Sequence, residues 1–147
     1  MKYLAYGANM DKEIMTRRCP TAELLSVGEL ENYRLMFKGE EPNAYATIEP
    51  WQGYKVPYVL WEISAADEAR LDSWEGYPRH YQKSKVEIDY LGEKILAMYY
   101  HKPEKQRVGQ PVIHYVDVLA RAYERFGFDR KILDAALELS DRFFSMR

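Results

Sequence analysis

The sequence predicts one α+β domain: a small curled sheet or barrel of about six strands, flanked by helices. Three observations carry this. Short stretches with strand-like aromatic and β-branched content recur along the chain. Separate segments carry helical spacing with recognisable caps. The two kinds of element do not alternate as βαβ units, which argues against a doubly wound sheet. At 147 residues the chain, residues 1–147, fits a single domain on the prior of one per ~150 residues. A domain of that size needs no disulfide or metal to fold.

The elements are expected in this order. Tyr3-Leu4-Ala5-Tyr6 is an apolar strand closed by Gly7. Asp11 can cap a short helix through Arg18, which Pro20 stops. Strands are expected at Gly28–Lys38, Ala44–Glu49, Val56–Ile63, Tyr81–Tyr90 and Lys94–His101. The third of these is almost continuously apolar, as for a strand buried on both faces. Tyr90-Leu91-Gly92-Glu93 reads as a hairpin turn. Ser64 and Asp67 form a capping-box pattern, and Gly76 supplies the stop of that helix. Two helices follow. In the first, Ile113, Val116, Leu119 and Tyr123 are spaced by three and four, and Gly127 ends it. Asp129 then caps the second, which carries Ile132, Leu133, Ala136, Leu137, Ser140, Phe143 and Phe144 on one side.

Composition excludes several classes of function. A net charge of −2, with acids interleaved among the bases, gives no footprint for nucleic acid. No apolar run reaches the ~20 residues of a membrane span, and the first residues enter a strand in place of a signal peptide. Cys19 is the only cysteine, so no internal disulfide forms and a reducing, cytoplasmic setting is expected. Its neighbours make it a small buried hydrophobe rather than a nucleophile. Thirteen tyrosines suit either half-buried strands or a pocket for a small polar ligand.

The usual catalytic kits are missing. His80, His101 and His114 are scattered, and no HExxH, CxxC, P-loop, GxGxxG or GxSxG is present. Neither a metal nor a cofactor is expected. What stands out is a polar loop and one acid. The loop Tyr6-Gly7-Ala8-Asn9 could take positive φ at Gly7 and Asn9 and turn successive N–H groups toward an anion. Glu75 lies in the last turn of its helix, between Trp74, expected in the core, and Gly76. The helix terminus and burial would both raise its pKa, which suits a group alternating between base and acid.

Taken together these segments resemble the γ-glutamylcyclotransferase family, the AIG2-like and BtrG-like group. Its members open on a strand and a Tyr-Gly-Ser-Asn-type loop, here Tyr6-Gly7-Ala8-Asn9. Its Leu-Asp-x-x-Glu-Gly segment is Leu71-Asp72-Ser73-Trp74-Glu75-Gly76, followed by Tyr81. Ala44-Tyr45-Ala46-Thr47-Ile48, the strand Val56–Ile63 and Ala97-Met98-Tyr99-Tyr100 are similar to three of its strands. The resemblance runs to about residue 102 and is weaker beyond, where Tyr115 matches a pocket tyrosine of some members. The loop departs from the pattern at Ala8, which lacks the usual serine hydroxyl.

The resemblance implies a small mixed barrel with its pocket at one mouth. It implies a transferase or lyase reaction in which a γ-glutamyl donor cyclises to 5-oxoproline and expels an amine. Glu75 would move the proton, and backbone N–H groups of Gly7, Ala8 and Asn9 would hold either the glutamyl carboxylate or the oxyanion. Tyr6, Tyr81, Tyr100 and Tyr115 would line the pocket. The segment Gly39-Glu40-Glu41-Pro42-Asn43 would shape the leaving-amine side. The partner is then a small molecule, with no nucleic acid or membrane, and the protein a monomer or homodimer. Two further readings stay open: a non-catalytic binder of an amino-acid-like metabolite on the same scaffold, and an interaction module using aromatic surface.

Overall fold

The computed structural model describes residues 1–40 and 43–146. Five strands form one mixed sheet: β1 (Lys2–Ala5), β2 (Glu23–Lys38), β3 (Tyr45–Glu62), β4 (Gln82–Tyr90) and β5 (Glu93–His101), in the order β2-β3-β1-β5-β4. Four α-helices accompany them: α1 (Lys12–Arg18), α2 (Ala65–Glu75), α3 (Ile113–Phe126) and α4 (Arg130–Ser145). A one-turn 3-10 helix, Ala8–Met10, joins β1 to α1.

The α+β class stands, but two expectations are corrected. The two strands expected at Ala44–Glu49 and Val56–Ile63 fall within or at the ends of one long strand, β3, so the described residues form five strands rather than six. Pro50 and Gly53 read as breakers because each interrupts a regular ladder. Here they fall at an irregularity between the pairs Glu31–Lys55 and Tyr33–Pro50, where the ladder is interrupted anyway. Asn32 takes φ 64° there, and its Oδ1 accepts from Gly53 N at 3.1 Å. The second correction concerns closure. Among the described residues β2 and β4 are the two edges and do not pair, so the sheet is open rather than a barrel.

The sheet has a seam. β2 and β3 pair antiparallel from Glu23–Glu62 to Lys38–Tyr45, β3 pairs with all of β1, and β4 pairs with all of β5. Within the sheet, the strand pairing that joins the two blocks among the described residues is the parallel one of β1 with β5, registered at Tyr3–Met98. The hairpin turn is as expected, with Leu91 and Gly92 both at positive φ, which a two-residue type I′ turn requires.

Every helix cap expected from the sequence forms. Asp11 accepts from Ile14 N, and Ser64 and Asp67 exchange both bonds of a capping box. Gly76 and Gly127 are left-handed C-caps, and Asp129 accepts from Lys131 N. The core is Val56–Trp61 of β3, buried on both faces, with Leu4, Phe37, Ile48, Ala97, Met10, Met15, Leu71, Leu119 and Leu133 around it. Some apolar residues lie elsewhere than expected. Trp74 is 63% exposed, lying under the Arg18 guanidinium at 4.5 Å rather than in the core. Ile113, at the start of α3, and Phe143 and Phe144, near the end of α4, are also exposed, while Val118, Ala122 and Leu139 are buried. Cys19 is buried with its thiol pushed up to about 11 by burial, which removes it as a nucleophile.

Candidate active site

A cavity of about 880 Å³ opens where the end of β1, the end of α2, the start of β3, the end of β5 and the first turn of α3 converge. It is lined by every residue singled out in the sequence: Tyr6, Gly7, Ala8, Asn9, Glu75, Tyr81, Tyr100 and Tyr115. Residues far apart in sequence are gathered because β1, the strand that carries the loop, lies between β3 and β5.

The loop is built differently from the expectation. Gly7 has φ −119° and ψ −138°, and neither it nor Asn9 is at positive φ. The chain instead makes a right-handed 3-10 turn in which Met10 N donates to Gly7 O at 3.0 Å. The N–H groups of Ala8 and Asn9 precede that first bond, at the end of the turn where donors have no partner within it. Glycine at position 7 answers to space: a Cβ there would stand 3.3 Å from the Tyr115 hydroxyl and 3.7 Å from the Ala46 Cβ.

Asn9 is the hub of the site, and by its side chain. The side chain is buried, and its Nδ2 donates to the Tyr3 hydroxyl at 2.9 Å and to Glu75 Oε1 at 3.2 Å. Its Oδ1 accepts from Arg18 at 2.7 Å, and its carbonyl accepts from Trp61 Nε1 at 3.0 Å. Arg18 as a fixed donor settles which end of the amide faces Glu75. Glu75 is carried there by the last turn of α2. Gly76 then reverses the chain at φ 65°, tightly enough that a Cβ would meet His80 Cδ2 at 2.5 Å.

Burial raises the pKa of Glu75; Arg18, the Asn9 hydrogen bond and Lys102 oppose that rise without cancelling it. Burial likewise lowers the proton affinity of Lys102, with Glu75 opposing. The tyrosines divide by what their hydroxyls already do. Tyr6 donates to Tyr100 O, Tyr81 to Ala46 O at 2.7 Å, and Tyr100 to Asp72 at 2.6 Å. Those of Tyr3 and Tyr115 accept, from Asn9 and from Ala46 N at 3.1 Å, and so keep a proton to offer a ligand. Burial raises the pKa of all five, so they stay neutral donors.

Tyr3, Arg18, Tyr45 and Lys102 also line the cavity and were not foreseen. Strand alternation could have found Lys102, two residues beyond Tyr100 and hence on its side of the chain. Arg18, at the end of a short helix, gives no such sign. Of the segment expected to shape the leaving-amine side, Gly39, Glu40 and Asn43 line the cavity, while Glu41 and Pro42 lie outside the described residues. Among the described residues no three His, Cys, Asp or Glu side chains gather as metal ligands, and no helix is long and apolar enough to cross a membrane.

A half-buried carboxylate whose pKa is raised by burial stands in a tyrosine-lined cavity on an open α+β sheet, an arrangement suited to a small polar molecule. The model of the family described as "Gamma-glutamyl cyclotransferase, AIG2-like" matches residues 3–118, and the chain belongs to that family. No curated protein matches it. Among solved structures it is similar to one titled "Gamma-glutamyl cyclotransferase", with a TM-score of 0.81 and 21% identity over 92% of this chain and 85% of that one. An uncharacterized protein, loc79017, from Homo sapiens gives 0.79 and 22% over the same shares. YkqA from Bacillus subtilis gives 0.78 and 19% over 96% of this chain and 54% of that one. At these identities the structures establish the shared fold.

Proposed function

We propose that this protein is a cyclotransferase that converts a γ-glutamyl amino acid or γ-glutamyl amine to 5-oxoproline and the free amine. The donor's α-amino nitrogen attacks its own γ-carbonyl carbon. The new C–N bond closes the five-membered ring, and the amide C–N bond to the leaving group breaks. Glu75 takes the proton lost by the attacking amine and returns it to the departing nitrogen, so no water, metal or cofactor enters the balance. The observation that carries this reading is the Glu75 carboxylate, half-buried at the cavity and held by Asn9 while desolvation raises its pKa. A shuttle must both accept and release a proton near neutral pH, and that shift brings a carboxylate toward the range.

Because the nucleophile belongs to the substrate, the rest of the site has only to fold the glutamyl chain and bring amine and carbonyl together. The Ala8 and Asn9 N–H groups and the free protons of Tyr3 and Tyr115 are suited to hold the carboxylate and the developing oxyanion. With backbone N–H groups in that role, the absence of a hydroxyl at Ala8 is tolerated. We place the activity in the cytoplasm, in a monomer or homodimer.

The test is 5-oxoproline release from a panel of γ-glutamyl amino acids and γ-glutamyl amines, with Glu75→Gln alongside. Turnover should fall by about 10²–10⁴-fold in the variant. A variant as active as the parent would remove Glu75 from the mechanism. No release from any donor by the folded parent would favour a binding protein on this scaffold.

A further inference from the structure

Arg18 and Lys102 both line the cavity, and among the described residues Arg18 alone of the two has a polar partner for its charged group. Arg18 is bonded to Asn9 and stacked over Trp74. Lys102 is 5% exposed, yet among the described residues no carboxylate forms an ion pair with its Nζ. Its backbone N–H is anchored to Thr47 Oγ1 at 2.8 Å, which fixes where the side chain starts. The ammonium faces aromatic rings, 4.9 Å from the Tyr81 centroid and 5.9 Å from that of Tyr45. It stands 3.7 Å from where a Gly39 Cβ would be, so it lies on the Gly39 side of the cavity. Glu75 acts on it through space without pairing, and the exposed Glu40 lines the same cavity.

An ammonium withdrawn from water without a counter-ion is costly, and ring faces offset only part of that cost. A ligand carboxylate would supply the missing partner. A γ-glutamyl amino acid carries two carboxylates, and the cavity offers two places for them. One is the start of the 3-10 turn beside Asn9 and Glu75; the other is Lys102. The carboxylate of the cyclising glutamyl unit shares a carbon with the attacking amine, which must stay against Glu75, and the N–H groups of the turn stand there. That leaves Lys102 for the other carboxylate, on the departing group.

We propose that Lys102 is the residue that selects the leaving group: its ammonium seats the carboxylate of a departing amino acid, so γ-glutamyl amino acids are favoured over amines that lack that carboxylate. The proposal rests on the cyclotransferase reading above, and its test is arranged to separate the two. Two donors, γ-glutamyl-alanine and γ-glutamyl-ethylamine, differ by that one carboxylate. Their kcat/KM values are compared in the parent, in Lys102→Met and in Lys102→Arg.

The parent should prefer the alanine donor by at least about tenfold, and Lys102→Met should lose about 10²-fold on it. The loss on the ethylamine donor should be at least about tenfold smaller, and Lys102→Arg should retain the preference. Lys102→Arg also keeps the donor ratio readable if the neutral variant is less stable. Equal losses on both donors would assign the lysine to the glutamyl carboxylate or to structure, and would overturn the proposal, as would no loss on either. If the parent releases no 5-oxoproline at all, the cyclotransferase reading fails by itself. Calorimetric affinities for the same two compounds then decide. Tighter binding of the alanine compound, abolished in Lys102→Met, upholds the carboxylate seat; equal affinities overturn it.

Discussion

Asn9→Ala removes the side chain on which the site converges. Three hydrogen bonds go with it: one to the Tyr3 hydroxyl, one to the Glu75 carboxylate and one from the Arg18 guanidinium. A neutral bond contributes about 1 kcal/mol and a charge-assisted one about 1.5–3, so the three together come to about 4–7 kcal/mol. Arg18 and Glu75 both line the cavity and can turn toward water, so the net loss is about 2–4 kcal/mol. For a chain of this length 1 kcal/mol moves Tm by about 2–4 °C, which gives a drop of roughly 4–16 °C. Scanning calorimetry at pH 7 measures it, with far-ultraviolet circular dichroism as a check on the fold. A second readout is independent of stability. The Asn9 bond lowers the proton affinity of Glu75, so its loss should carry the acidic limb of the pH–rate profile to higher pH. A Tm within about 2 °C of the parent, with the acidic limb unmoved, would refute the role of Asn9 as hub.

Other substitutions probe separate parts of the argument. The folded state raises the pKa of Glu75, so it binds that proton more tightly than the unfolded chain does. Stability is therefore lost as pH rises from the ordinary carboxylate range through the raised value, and Glu75→Gln should melt above the parent at pH 8, with the gap closing toward pH 4. A gap independent of pH would contradict burial as the cause. Tyr123 is buried in α3, and among the described residues its hydroxyl has no hydrogen-bond partner. Tyr123→Phe should leave stability unchanged or raise it by up to about 1 kcal/mol in a urea titration, and a loss of that size would reveal a partner. Gly7→Val would press on Tyr115 and Ala46 and should weaken ligand affinity by about tenfold or more, read by calorimetry on the Glu75→Gln background. Unchanged affinity would show that the turn gives way.

Local chemistry made much of this molecule legible in its sequence. Caps at Asp11, Ser64, Gly76, Gly127 and Asp129 are bonds within a few residues, so their pattern is complete in the sequence itself. The site was legible for a different reason: Glu75 is an unusual choice for the last turn of its helix, and the resemblance of Tyr6–Asn9 and Leu71–Gly76 to a known family pointed to the rest. What failed depended on partners distant in the chain. Pro50 breaks a strand unless the ladder is interrupted beside it, and Asn32, whose side chain bonds across that interruption, is eighteen residues earlier. Trp74 belongs in a core unless a cation covers it, and Arg18 is on another helix. The loop residues line the cavity, but with a backbone other than the one expected, because a 3-10 turn takes the place of positive φ at Gly7 and Asn9. The role of the Asn9 side chain, set by Tyr3, Arg18 and Glu75 together, had no signature in its own segment.

The seam between β1 and β5 gives the molecule a mechanical character. Two stiff plates, one built on the long β2–β3 ladder and one on β4–β5, are joined along a line with a single registered pair. That line is reinforced from the side by the Tyr6 hydroxyl on Tyr100 O and by the edge-on packing of the Tyr3 and Tyr100 rings. The cavity straddles it, with the Gly7–Asn9 turn on one plate and Tyr100 and Lys102 at the end of the other. A guest held from both sides therefore adds a tie between the two plates, beside those from Tyr81 to Ala46 and from Lys102 to Thr47. Its occupancy should slow amide exchange along β1 and β5 more than in the outer ladders, and the molecule at work is stiffer than the molecule at rest.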